Sequence, residues 1–323
     1  MLTRRQWLAA CATLAATRPL AAAEPVRLGI LKFGTVQWVA DVIRYHHLDT
    51  AHGFTLNTTF LANTGAGRVA LLAGADDMIV SDWMFAAAQR ANGTKLSFAP
   101  FSGSLGGIMT PSNSALSRFA DLKGRKLGVA GGPVDKSWLL VQAACRATTG
   151  IDLRHAAEVV YGAPPLLSAK LQQRQLDAVL TFWNFAAMLE AAGCREMISV
   201  ADCARHLGLP AQLDLVGFVF HQDWADAHRQ AVDGFLKAVA DAQQTLAHSD
   251  SEWRRIRPLM NAPNDTVFTL LKNRFIAGIP TTSPAQESQT AERVFAILMK
   301  TGGTQATAGL TSLPDGVFWS QPA

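Results

Sequence analysis

The sequence predicts an α/β protein large enough for two domains, and three observations predict it. Short apolar strands alternate with amphipathic helices from Arg27 to about Phe220. After about Asp223 the pattern becomes helical only. Setting aside an N-terminal leader leaves about 300 of the 323 residues, enough for two domains and a substantial core. Strand–helix alternation of this kind calls for parallel strands in sheets covered by helices.

The leader explains the first 23 residues. Arg4 and Arg5, followed by Gln6–Trp7–Leu8, stand ahead of the Ala/Leu-rich run Leu8–Ala16, and Leu20–Ala23 offers a small-residue cleavage site before Glu24. This is the pattern of a signal peptide over residues 1–23, with the paired arginines of the twin-arginine (Tat) route, and it predicts a periplasmic protein. Leu8–Cys11 matches a lipoprotein box, but the apolar stretch before Cys11 is too short for lipidation. Without the leader the formal charge falls from +4 to about +1, with 26 basic against 25 acidic residues. A near-neutral chain carries no electrostatic case for nucleic-acid binding. No later segment is long and apolar enough to span a bilayer, and no solenoid repeat is present.

The elements follow in order. Strands are expected at Arg27–Leu31, Thr55–Phe60, Met78–Val80, Lys95–Ala99, Lys126–Ala130, Val159–Tyr161, Ala178–Thr181 and Leu215–Phe220, each a short apolar run bounded by turn residues. Between them, apolar residues at helical spacing predict helices at Trp38–His47, Arg68–Ala73, Trp83–Ala91, Lys136–Thr148, Pro165–Arg174 and Phe185–Ala192. The C-terminal region gives a helix His228–His248 with its stripe at Val232, Phe235, Leu236 and Val239. A second helix follows Asn264–Asp265. A third begins at Ser283–Pro284 with a Ser283/Gln286 capping box, buries Val294, Phe295 and Leu298, and stops before Gly302–Gly303. These three helices read as packing rather than chemistry. Of the cysteines beyond the leader, Cys145, Cys194 and Cys203, the last two are placed either to pair in an oxidising compartment or to stay buried and unpaired.

The most informative stretch is Ala120–Gly132, ADLKGRKLGVAGG, in which the strand Lys126–Ala130 runs into a glycine turn at the start of a helix. Such a junction leaves backbone N–H groups free to meet a ligand. With the preceding LGGIMTPSNSALSRF, it resembles the start of the second lobe in periplasmic solute-binding proteins of ABC importers, in the nitrate/sulfonate/taurine and thiamine-precursor group. Three further stations support the resemblance: VRLGILKFG at Val26–Gly34, LLAGADDMIVSDW at Leu71–Trp83 and QLDAVLTFWNF at Gln175–Phe185. The last lacks the glycine that relatives carry there, because Arg174 precedes Gln175. The resemblance covers roughly Val26–Val219. It implies a type II binding-protein fold of two lobes, with a hinge crossed twice and a ligand cleft between the lobes. The crossings are expected near Met109–Asn113 and Leu213–Gly217, giving residues 24–108 and 218–323 to one lobe and 109–217 to the other.

In open α/β sheets, ligands meet the carboxyl ends of strands and the starts of helices. Trp38, Trp83, Trp138 and Trp183 all fall at such positions, either as cleft walls or as core and rim aromatics. As walls they favour a planar, apolar-bodied or cationic solute, at about 0.5–2 kcal/mol per contact. Ser81 and Asp82 precede Trp83, where Asp82 either accepts from a ligand amine or hydroxyl or caps the helix. Thr64 and Gly65, in the turn before Arg68, offer N–H groups to an oxyanion or simply make the turn. Lys32 and Arg68 are candidate partners of an anion or ordinary surface charges. Ser137 and Asn184 are candidate polar anchors, and Asp135 reads as a cap. Relatives that bind small anions use hydroxyls and N–H groups here. The bulk of SDW and FWNF therefore favours a larger organic solute, sulfonate- or taurine-like or aromatic and heterocyclic, over nitrate. Trp183→Ala is expected to cost about tenfold or more in affinity with the thermal midpoint nearly unchanged.

Catalytic constellations are absent from the sequence: no G-x-S-x-G, no H-E-x-x-H and no P-loop lysine motif. His46, His47 and His52 read as a solvated helix end. The resemblance implies a monomer without cofactor. It captures a small molecule by hinge closure and delivers it to a membrane permease driven by ATPase subunits. The alternatives are a periplasmic sensor for a membrane receptor, or an enzyme like the fungal thiamine-pyrimidine synthases of the same fold. The export signal, and the lack of their cysteine-rich iron motif, speak against the enzyme.

Overall fold

The structure, a computed structural model, describes residues 23–32, 34–281 and 284–320. The leader and the Ser283 half of the expected capping box lie outside the described residues. Two five-stranded sheets form the two lobes. The first has the order β2-β1-β3-β10-β4, from β1 Glu24–Leu31, β2 Phe54–Leu61, β3 Met78–Asp82, β4 Leu96–Ser102 and β10 Val216–His221. The second has the order β7-β6-β8-β5-β9, from β5 Gly107–Pro111, β6 Lys126–Ala130, β7 Glu158–Gly162, β8 Ala178–Thr181 and β9 Cys194–Ser199. The two orders are the same motif written twice.

Parallel pairing holds for β1 with β2 and β3, and for β6 with β7 and β8. It fails for one strand per lobe: β10 runs antiparallel to β3 and β4, and β5 runs antiparallel to β8 and β9. Each of these strands enters its sheet directly from the other lobe rather than through a covering helix, so no right-handed crossover fixes its direction. The expectation of parallel sheets is corrected at these two positions. Strands β5 and β9 were missing from the sequence-based elements; β9 (CREMIS) is half-buried along its whole length and shows no alternation to read.

The crossings also move. Met109 lies inside β5, so the first crossing is the connection Gly103–Gly106 rather than Met109–Asn113. The return runs through Leu207–Leu215 into β10, overlapping the expected Leu213–Gly217. The two connections and the C-terminal region meet at one place: Gly103 N donates to Gly278 O (2.9 Å), Ser104 Oγ to Arg274 O (2.9 Å) and Gln212 Nε2 to Ile279 O (2.8 Å).

Residues 218–323 do not all stay with the first lobe. Helix Arg229–His248 packs on it, whereas helix Asp265–Ala277, capped by Asn264, whose side chain accepts from Val267 N, lies between that helix and helix Trp183–Ala191 of the second lobe. Helix Pro284–Ala306, broken at Gly303 by a non-helical backbone (φ 65°, ψ −160°), instead lies on helix Lys136–Thr149 of the second lobe. Its Val294, Phe295 and Leu298 join the core that contains Trp138 and Leu139. The tail then returns to the first lobe, where Phe98 N donates to Val317 O (2.7 Å) and Trp319 N to Phe98 O (2.8 Å).

The three cysteines among the described residues are unpaired, with Cys145 and Cys203 buried and Cys194 partly exposed. Burial pushes the Cys203 thiol up to about 12 and raises Cys145 and Cys194 as well. Thiolate is the reactive form. In a thiol titration of residues 24–323 at pH 8, Cys145 and Cys203 should stay unmodified until denaturant is added, leaving Cys194 as the only one of these thiols to react. Rapid loss of all three thiols in the native protein would contradict this burial.

Candidate functional site

The strand ends of the two lobes face each other, and the helices that follow them carry the candidate residues. After β1 comes helix Val36–Tyr45, with Trp38 as its third residue; after β6 comes helix Lys136–Thr149, with Trp138 as its third residue. Trp83 and Trp183 are the first residues of the helices that follow β3 and β8. The four tryptophans are thus two equivalent pairs on a repeated motif.

Tertiary packing separates the pairs. Trp38 meets Trp183 edge-on across the lobes, ring centroids 6.3 Å apart, and Trp38 Nε1 donates to Leu259 O at 3.2 Å. Trp253 and Phe275 back Trp38 from the first-lobe helices. Beside the Trp38–Trp183 pair lies a cavity of about 240 Å³. The first lobe lines it with Thr35, Trp38, Leu259, Met260, Asn261 and Leu271, the second with Pro165, Asn184, Phe185 and Met188. None of these residues is charged. All four tryptophans are buried, but Trp83 and Trp138 lie away from this cavity. The C-terminal segment covers them: Phe318 packs on Trp83, and helix Pro284–Ala306 lies over the helix of Trp138. Of the four expected cleft walls, only Trp38 lines the cavity, and Trp183 packs edge-on against it.

The polar candidates divide similarly. Asn184 lines the cavity. Ser81 is buried at the end of β3, where its Oγ accepts from Arg68 Nε at 3.4 Å. Asp82 caps helix Trp83–Ala91 through Phe85 N (3.0 Å). It also pairs with Arg68 Nη2 (3.1 Å) and with Lys136 Nζ of the other lobe (3.1 Å). Burial opposes its ionisation, but the Lys136 ammonium and Arg68 guanidinium prevail and hold the carboxyl below the usual range. Both oxygens of Asp82 are thus engaged by the protein, Oδ1 by Phe85 N and Lys136 Nζ and Oδ2 by Arg68 Nη2. Ser137 is half-buried in the first turn of its helix, behind Asp135, whose carboxylate caps Trp138 N at 3.1 Å. Thr64 and Gly65 are exposed in the first turn of helix Thr64–Leu72, capped by Asn63, and do not line the cavity.

A second ion pair joins the lobes near the hinge, Arg274 to Glu190 at 2.7 Å with Glu196 at 3.7 Å. Burial raises the Glu196 carboxyl against the pull of Arg274. The sequence reading missed Thr35, Pro165 and Phe185 at helix starts, and beyond them Met188, Leu259, Met260, Asn261 and Leu271. Met188 lies on the helix that follows Trp183, one turn beyond the residues singled out there. The other four come from the C-terminal helical region, which showed only packing signals.

Comparison with known proteins gives a family and a fold. A family model described as NMT1/THI5 like matches residues 51–252. No curated protein matches the chain. Among solved structures, the alkanesulfonate-binding protein SsuA from Xanthomonas axonopodis pv. citri, bound to MOPS, superposes with a TM-score of 0.68 at 19% identity. The match covers 92% of this chain and 99% of that one. The periplasmic aliphatic sulphonate binding protein SsuA from Escherichia coli gives 0.67 at 17% identity, covering 93% and 95%. The periplasmic nitrate-binding protein NrtA from Synechocystis PCC 6803 gives 0.58 at 11% identity, covering 88% and 84%. At these identities the likeness is one of fold: two lobes with a cleft between them.

Proposed function

The chain belongs to the NMT1/THI5-like family, and from that premise we propose that it is the periplasmic solute-binding component of an ABC importer. It captures a small organic solute by closure of the two lobes and hands it to a membrane permease with its ATPase subunits. The leader read over residues 1–23 supports the periplasmic assignment.

One observation carries the reading. The cavity beside Trp38 takes its walls from both lobes, so a ligand there contacts both halves only when they are closed. A ligand with that differential affinity shifts the open–closed equilibrium toward closure. The lining also bears on the ligand class. Its volume, about 240 Å³, is below the roughly 300 Å³ at which drug-sized sites begin. With Trp38, Phe185, Met188 and Met260 as walls and no charged group, it favours a small aromatic or heterocyclic body over taurine or nitrate. Asn184, Asn261 and Thr35 are placed to read its hydrogen-bonding edge.

A thermal-shift screen of residues 24–323 against pyrimidines, aromatic acids and amines, sulfonates, taurine and nitrate tests the proposal. A bound aromatic or heterocyclic solute at a hundred times its Kd should add about 2.7 kcal/mol, which is about 4 °C for a chain of this size. It should also change tryptophan fluorescence, through Trp38 and Trp183. Stabilisation by nitrate or taurine alone would overturn the ligand class, and no shift with any class would overturn the binding role of this cavity.

A further inference from the structure

The Arg68–Asp82–Lys136 group has the composition of an anion site that the protein fills itself. Asp82 Oδ1 accepts from Phe85 N and lies 3.1 Å from Lys136 Nζ, and Oδ2 accepts from Arg68 Nη2. Arg68 is fixed in turn by Ser81 Oγ and by the Phe85 ring, 4.5 Å below its guanidinium. Two cations from different lobes and a backbone N–H at a helix start are the donors that hold free oxyanions elsewhere. Here a side-chain carboxylate occupies them, 16% exposed.

We propose that Asp82 is a built-in counter-ion that excludes small free anions from the cleft, and is thereby its specificity-determining residue. The proposal rests on the reading of the cleft as a solute site. A tethered carboxylate binds its two cations without the loss of translational freedom that a free anion suffers. An incoming sulfate or sulfonate must displace it and leave Asp82 as an uncompensated, largely buried charge. Asp135 stands beside Lys136, and an incoming anion would meet its carboxyl as well, which burial pushes up. The charged groups facing one another here are Arg68, Asp82, Asp135 and Lys136, two of each sign. A third anion therefore meets no net attraction. Neutral solutes in the Trp38 cavity, which none of these charged groups lines, are unaffected by this balance.

The test is calorimetric titration of residues 24–323 with sodium sulfate and with ethanesulfonate at constant ionic strength. Asp82→Asn removes the charge and keeps a good helix cap; Asp82→Ser, also a cap, serves if the first variant folds poorly. The wild type should show no saturable binding of either anion below about 10 mM, and D82N should bind at least about tenfold more tightly. The double variant D82N/K136M should lose that gain. Equal anion affinity in wild type and D82N overturns the proposal, as does a folded D82N that gains none. Because the probes are simple anions, these outcomes are read separately from the organic-ligand screen. A failed screen with a successful D82N gain would refute the Trp38 cavity reading and leave the counter-ion standing.

Discussion

Replacing Trp183 by alanine should weaken binding of the cleft ligand by about tenfold or more and lower the thermal midpoint by about 5 °C. The first effect follows from its position beside the cavity, where it braces Trp38 edge-on across the lobes. The second corrects the expectation from sequence that stability would be unchanged. Trp183 is only 9% exposed and is packed into the core of the first lobe, although its backbone belongs to the second. Removing a buried tryptophan costs about 3 kcal/mol or more, which spread over the unfolding entropy of about 300 residues is a shift of about that size. Trp183→Phe retains most of the packing and should recover most of the midpoint. Denaturation and ligand titration of the two variants separate the effects. An alanine variant with wild-type affinity would remove Trp183 from the site, and one with a wild-type midpoint would deny its role in holding the lobes together.

Gly106→Ala should be at least as disruptive, though it lies away from the cavity. A Cβ at Gly106 would fall on the carbonyl oxygen of Thr181, 2.8 Å from its carbon and 3.0 Å from Phe182 Cα. These are backbone atoms of the β8 end, so no rotamer change relieves the overlap. Gly106 O also accepts from Val200 N (2.9 Å), which ties the first crossing to the helix before the second. Forcing the two backbones apart should cost about 3 kcal/mol or more and misplace the helix of Trp183 and Asn184, so affinity falls with stability. Gly132→Ala is the control: nothing lies within 4 Å of its added Cβ, and its midpoint should stay within about 1 °C of wild type. A Gly106→Ala protein as stable as that control would show that the connection is looser than its packing indicates.

Much of this arrangement was legible residue by residue. The apolar runs gave β1, β6 and β8 to within a few residues, and the caps at Asp82, Asp135 and Asn264 sit where their side-chain oxygens meet the third N–H of the following helix. The positions of all four tryptophans at strand-to-helix junctions were also plain. Which of them face the cleft was not, because Trp83 and Trp138 look the same as Trp38 and Trp183 over any local window. Their difference is made by residues 284–319, which fold back over one pair and leave the other beside the cavity. Asn261 was equally invisible: it ends a short helical turn in the left-handed region (φ 50°) and reaches the cavity only through the packing of the C-terminal helices.

The sequence by itself determined the strand–helix alternation, the helix starts and the family stations, since each depends on residues within a turn or two of one another. Only the tertiary structure decided the reversed direction of β5 and β10, the side of the molecule on which helix Pro284–Ala306 lies, and the use of Asp82. Whether that carboxylate meets a ligand or a lysine depends on Lys136, which belongs to the opposite lobe. Burial and charge pairing are properties of what the chain brings together, and hydrophobic patterning states only that a face must be covered, not which segment covers it.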